Sequence, residues 1–140
     1  MTEIDNHDLR ATLRMIHGGP LTSDEARMIL DVMRRAAAAD HKTDIAEMTM
    51  LLRLKDLVAQ MADEVGLAVP GQIEPVNAAA MSNGARELAF ACAYLVMTQD
   101  RAVVAEERAL TGVLAAELRL ADARAQDLIA MIDLLVRTSS

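Results

Sequence analysis

Two matched stretches decide how this chain is read: Asp40-His41-Lys42-Thr43-Asp44-Ile45-Ala46-Glu47 and Asp100-Arg101-Ala102-Val103-Val104-Ala105-Glu106-Glu107. In each, an Asp follows an apolar, Ala-rich run with helical spacing, a Glu stands seven residues later, and a second helical run begins near that Glu. The pattern is helix, acidic loop, helix, and it recurs at an offset of 60 residues. At that offset Leu30 aligns with Phe90, Ala36 with Val96, Leu54 with Leu114 and Val58 with Leu118, so apolar positions recur together with the acids. Self-similarity at a fixed period is the mark of a duplicated unit. The expectation is two repeated helix–acidic loop–helix hairpins, at about 23–64 and about 85–120, with a linker at about 66–84 and a C-terminal helix at about 122–137.

The rest of the chain fits an all-α, single-domain helical bundle of about seven helices. A length of 140 residues suits one domain around one core. The apolar fraction is 53%, yet Trp is absent and Phe and Tyr occur once each, so Ala, Leu, Met, Val and Ile make the core. That composition favours close-packed helices over strands. The net charge of −7 opposes binding to phosphate backbones, and no basic stripe is present, so nucleic acid is not an expected partner. With one cysteine and no charged-then-apolar leader pattern, a reducing cytoplasm is the expected setting.

In chain order, Leu9, Leu13 and Ile16 predict a short helix ending at Gly18-Gly19-Pro20, with His17 in its last turn. Thr22 and Glu25 stand as a capping box for the next helix, whose apolar face is Ala26, Ile29, Leu30, Met33, Ala36 and Ala37. Asp44 and Glu47 have the same spacing and predict a box for the third helix. That helix carries Met48, Leu51, Leu52, Leu54, Val58 and Met61 around more than half its circumference, which predicts a central position. A short helix is expected from Pro75 through Ala80, then a break at Met81-Ser82-Asn83-Gly84. The run Leu88–Met97 is too short to span a bilayer and reads as a core helix holding Cys92 and Tyr94. The sixth helix starts near Val104, and Asp122 is expected to cap the last. No transmembrane segment is expected.

The chemistry is confined to the repeated acids. No Gly-rich phosphate loop, Cys-x-x-Cys, His-x-x-x-His or Ser/His/Asp set can be assembled, so no enzyme is expected. Asp40, Asp44, Glu47, Asp100 and Glu107 are the candidate site. Brought together, several carboxylates repel, and a hard divalent cation such as Ca²⁺ or Mg²⁺ relieves that repulsion with oxygen ligands. Lys42 and Arg101 offer a metal-free alternative as ion-pair partners, and capping alone accounts for Asp44 with Glu47.

The two acidic stretches resemble the paired motifs of the TerB-like family, in which an Asp follows a small-residue helix end and a Glu stands seven positions on. Here these are Ala-Ala-Ala-Asp40 with Glu47 and Thr-Gln-Asp100 with Glu107, and the resemblance spans about residues 23–136. The family's Gly after each Asp is replaced by His41 and Arg101. The resemblance implies a non-catalytic binding module associated with tellurite resistance or stress, with divalent metal held at these acids and another protein as partner. The alternative is a metal-independent helical interaction or scaffold domain whose acids are caps and surface charge.

Overall fold

The computed structural model describes residues 4–38, 45–63, 77–99 and 105–138, with the side chains of 105–108 excepted. Six α-helices run through them: α1 (Asn6–Ile16), α2 (Ser23–Ala37), α3 (Ile45–Met61), α4 (Asn83–Thr98), α5 (Ala105–Glu117) and α6 (Asp122–Thr138). No strand occurs among the described residues, as the all-α expectation requires.

Side-chain caps set the helix starts. The Asp5 carboxylate accepts from the His7 amide at 2.7 Å. At α2 the expected box is complete: Thr22 Oγ1 accepts from the Glu25 amide and Glu25 Oε1 from the Thr22 amide, each at 3.1 Å. Ser82 Oγ accepts from the Ala85 amide at 3.2 Å and starts α4. Each bond satisfies an amide that has no partner within its helix.

Two local expectations are corrected, and a third is met. Of the helix expected from Pro75 through Ala80, Pro75 lies outside the described residues, and those described form a single 3-10 turn, Ala78–Ala80. Met81 must turn extended, at φ −113° and ψ 140°, to set Ser82 at its cap, and one turn is too short to sustain an α-helix. The break expected at Met81-Ser82-Asn83-Gly84 is present at Met81 and Ser82, and Gly84 lies in the first turn of α4, where the His17 ring packs so closely that an added Cβ would fall 2.1 Å from Nδ1. Asp122 stands inside the first turn of α6, and Ala121 accepts the opening bond from the Ala125 amide at 2.9 Å. Its charge there complements the positive end of the helix dipole.

The helices pack around α4, which contacts all five others and α2 most extensively. Leu88, Phe90, Cys92, Leu95, Val96 and Met97 are each no more than 1% exposed. The central helix is therefore α4, and the expectation for α3 is corrected. On α3, Leu51, Leu54 and Val58 are fully buried, but Ile45 and Leu52 are exposed and Met48 and Met61 only partly covered. Apolar width on a helix counts potential contacts. It does not say how many neighbours supply them. The small Ala85, Ala89, Ala91 and Ala93 let helices approach α4 on several sides.

Polar ties fix the outer helices on this hub. Leu21 donates its amide to the Met61 carbonyl at 3.0 Å, joining the start of α2 to the end of α3. Arg124 donates to Glu87 Oε1 at 2.8 Å and Tyr94 donates to Asp133 Oδ1 at 2.8 Å, two bonds that dock α6 along α4. Tyr94 is partly buried: its ring packs against the core, as expected, while its hydroxyl makes this tie. At the end of α5, Arg119 adopts φ 58° while the Leu120 amide reaches the Ala115 carbonyl at 2.9 Å. This is a left-handed helix termination made by Arg in place of the usual Gly.

Candidate functional site

The acids singled out in the sequence belong to the junctions between α2 and α3 and between α4 and α5. Asp40, Asp44 and Asp100 lie outside the described residues, as do Lys42 and Arg101, and so do the box expected of Asp44 and the placing of the two loops relative to each other. Glu107 falls in the first turn of α5, with its side chain outside the described part. Glu47 is thus the one candidate ligand whose side chain is described. It occupies the first turn of α3 and is 1% exposed.

That burial is informative. A carboxylate removed from water costs several kcal/mol unless its surroundings compensate it, and Glu is among the residues least often found fully buried. Among the described residues, three polar or charged side chains are buried, and all are Glu: Glu25, Glu47 and Glu87. None of the three is without a partner, and the bonds of Glu25 and Glu87 are structural. Arg124 donates to Glu87 Oε1 through Nε and Nη2, and Asn83 Nδ2 lies 3.3 Å from Oε2. Glu25 accepts from the Thr22 amide through Oε1 and from the Ser82 amide through Oε2, at 3.1 and 2.8 Å. Burial pushes its carboxyl pKa up, but the bonds from Ser82 and Thr22 outweigh it and leave the group below its ordinary value.

The bond from Ser82 to Glu25 was not legible in the sequence, because it joins residues 57 positions apart. The same holds for Glu117, which forms a bidentate pair with Arg35 at 2.5 and 3.0 Å. The Arg35 hydrogen bonds hold the Glu117 carboxyl below the usual carboxylate range despite partial burial.

No three His, Cys, Asp or Glu side chains come together to hold a metal ion among the described residues. Cys92 is fully buried, and burial pushes its thiol up to about 12, which keeps it protonated and sheltered at neutral pH. It is a core residue, as expected. No described helix is long and apolar enough to cross a membrane. Comparisons with protein-family models, curated proteins and solved structures give no match to this chain.

Proposed function

We propose that the chain is a non-catalytic binding module of TerB-like type, a duplicated pair of helical hairpins that holds a divalent cation, Ca²⁺ or Mg²⁺, through Asp40, Asp44, Glu47, Asp100 and Glu107. On this reading it serves a stress or tellurite-resistance role in the cytoplasm and passes its metal-bound state to a protein partner. The observation that carries the proposal is Glu47: a carboxylate 1% exposed, in the first turn of α3 and three positions after Asp44 in sequence.

The register of the fold supports the duplication. The starts of α2 and α4, Ser23 and Asn83, are sixty positions apart, as are those of α3 and α5, Ile45 and Ala105. The caps Thr22 and Ser82 keep the same spacing and the same bond to the third residue beyond. All eight residues of the pairs Leu30/Phe90, Ala36/Val96, Leu54/Leu114 and Val58/Leu118 are no more than 1% exposed.

A second reading, a metal-independent interaction domain, is favoured by the large apolar side chains left on the surface, Ile45 at 86% and Met15 at 74% exposed. Calorimetric titration with Ca²⁺ and Mg²⁺, followed by thermal melts, separates the two. Binding through both loops should stabilise the fold by about 2.7 kcal/mol at 100 times the dissociation constant. Asp40→Asn with Asp100→Asn should abolish that gain and leave the metal-free protein as stable as the parent or more so, because like-charge repulsion is relieved. Absence of saturable binding by either ion in the parent would remove the metal reading and leave the interaction domain.

A further inference from the structure

We infer that Glu25 is an acid-labile clasp, whose protonation frees the start of α4 from α2 while the hydrophobic core around α4 stays closed. The basis is the division of one carboxylate between two helix starts. Oε1 takes the Thr22 amide and Oε2 the Ser82 amide, and both donors are N-cap residues, of α2 and α4 respectively. Glu25 is 7% exposed, so water does not readily replace either partner.

Protonation turns one carboxylate oxygen from acceptor into donor, and the amide facing it loses its bond. The Thr22 bond is local and is backed by the reciprocal bond from the Glu25 amide. The Ser82 residue, which meets the carboxylate through its amide and its hydroxyl, lies 57 positions away and receives no bond from the Glu25 backbone in return, so its amide bond is the one released. Neighbouring charges do not substitute for the carboxylate. On α2, Asp24 lies 3.6 Å from Arg27 at the surface. On α4, Arg86 donates to Asn83 and Leu118, and Glu87 pairs with Arg124. At the end of α1, His17 Nε2 lies 3.4 Å from the Pro20 carbonyl, and Asp63 beyond α3 is exposed.

Because the folded-state pKa of Glu25 is depressed, its contribution is complete above the unfolded value of 4.5 and is lost as pH falls through the folded value. The clasp therefore opens in the acid range below 4.5.

Backbone amide NMR of the full chain from pH 7 to pH 3 tests this. The Thr22 and Ser82 amide shifts should follow one common midpoint below 4.5, with Ser82 losing hydrogen-exchange protection while Leu88 and Leu95 remain protected. In Glu25→Gln at pH 7, Ser82 protection should fall about ten-fold or more, the loss expected for a hydrogen bond to a charged acceptor. If Ser82 does not titrate with Thr22, or if Leu88 and Leu95 lose protection at the same pH, the clasp is refuted. The parent titration decides the matter even if the Gln variant fails to fold.

Discussion

The helices α2 and α4 begin sixty residues apart and use the same kind of cap, yet they occupy different environments. Where α2 carries Arg27, Asp31, Arg34 and Arg35, α4 carries Glu87, Ala91, Tyr94 and Leu95. The substitutions follow the neighbours. α4 is covered by five helices and α2 chiefly by α3, α4 and α5, so α4 gives up charge at three of these four positions and keeps it only at Glu87, which Arg124 pairs. The second helices differ in the matching sense: Leu57 of α3 is 5% exposed, and its counterpart on α5 is Glu117, which pairs with Arg35. The positions Arg35 and Glu117 thus correspond to Leu95 and Leu57, an ion pair in one register and two buried leucines in the other. The helix starts share a sixty-residue spacing, and the surroundings decide that α4 is the hub.

The largest test of that asymmetry compares the hub with the rim. Phe90→Ala should destabilise the fold by about 3–5 kcal/mol, because it leaves a cavity at the largest fully buried side chain. Val113→Ala, on α5 and 47% exposed, should stay within about 0.5 kcal/mol. Urea unfolding of both variants checks this, and equal costs would mean that α4 is not the hub.

A smaller effect is expected at the first turns of the two helices. Gly84→Ala puts a methyl group into the His17 ring and should cost about 1–3 kcal/mol, with some offset from the stiffer unfolded chain. Pairing it with His17→Ala should recover part of the loss. At the corresponding position of α2, Asp24 has a side chain 85% exposed, and Asp24→Ala should cost only about 0.5 kcal/mol. Thermal melts read both, and a harmless Gly84→Ala would show that His17 moves aside freely.

The smallest effect concerns the ion pair. Glu117→Gln should cost about 1 kcal/mol at neutral pH. Since the native pKa of Glu117 is depressed, the parent should lose this contribution as pH falls below 4.5, and the variant should lack that part of the acid limb. Replacing Arg35 and Glu117 together by Leu, the residues found sixty positions away, should hold stability within about 1 kcal/mol of the parent. A much larger loss would mean that the polar pair specifies how α5 docks.

What could be read from sequence was local. Thr22 with Glu25 announced a capping box, and both bonds are present, because donor and acceptor lie within one turn. Leu88–Met97 announced a core helix, because nothing else can be done with ten such residues in water. The short helix expected before α4 is, in its described part, only the turn Ala78–Ala80, since the demands of the Ser82 cap outweigh weak local propensity. Of the candidate site, the structure describes one side chain, Glu47, which is buried, a property that sequence spacing does not reveal.

By itself, then, the sequence determined the six α-helices and the Thr22–Glu25 capping box, which depend on contacts within a few residues along the chain. The tertiary structure alone decided that α4 is the centre, that Gly84 makes room for His17, and that Glu25 serves two helix starts. Periodicity shows that a helix has an apolar face but is silent on how many neighbours meet it. Bonds such as Ser82 to Glu25 or Arg35 to Glu117 join groups 57 and 82 positions apart, and they exist only once the core has brought their helices together.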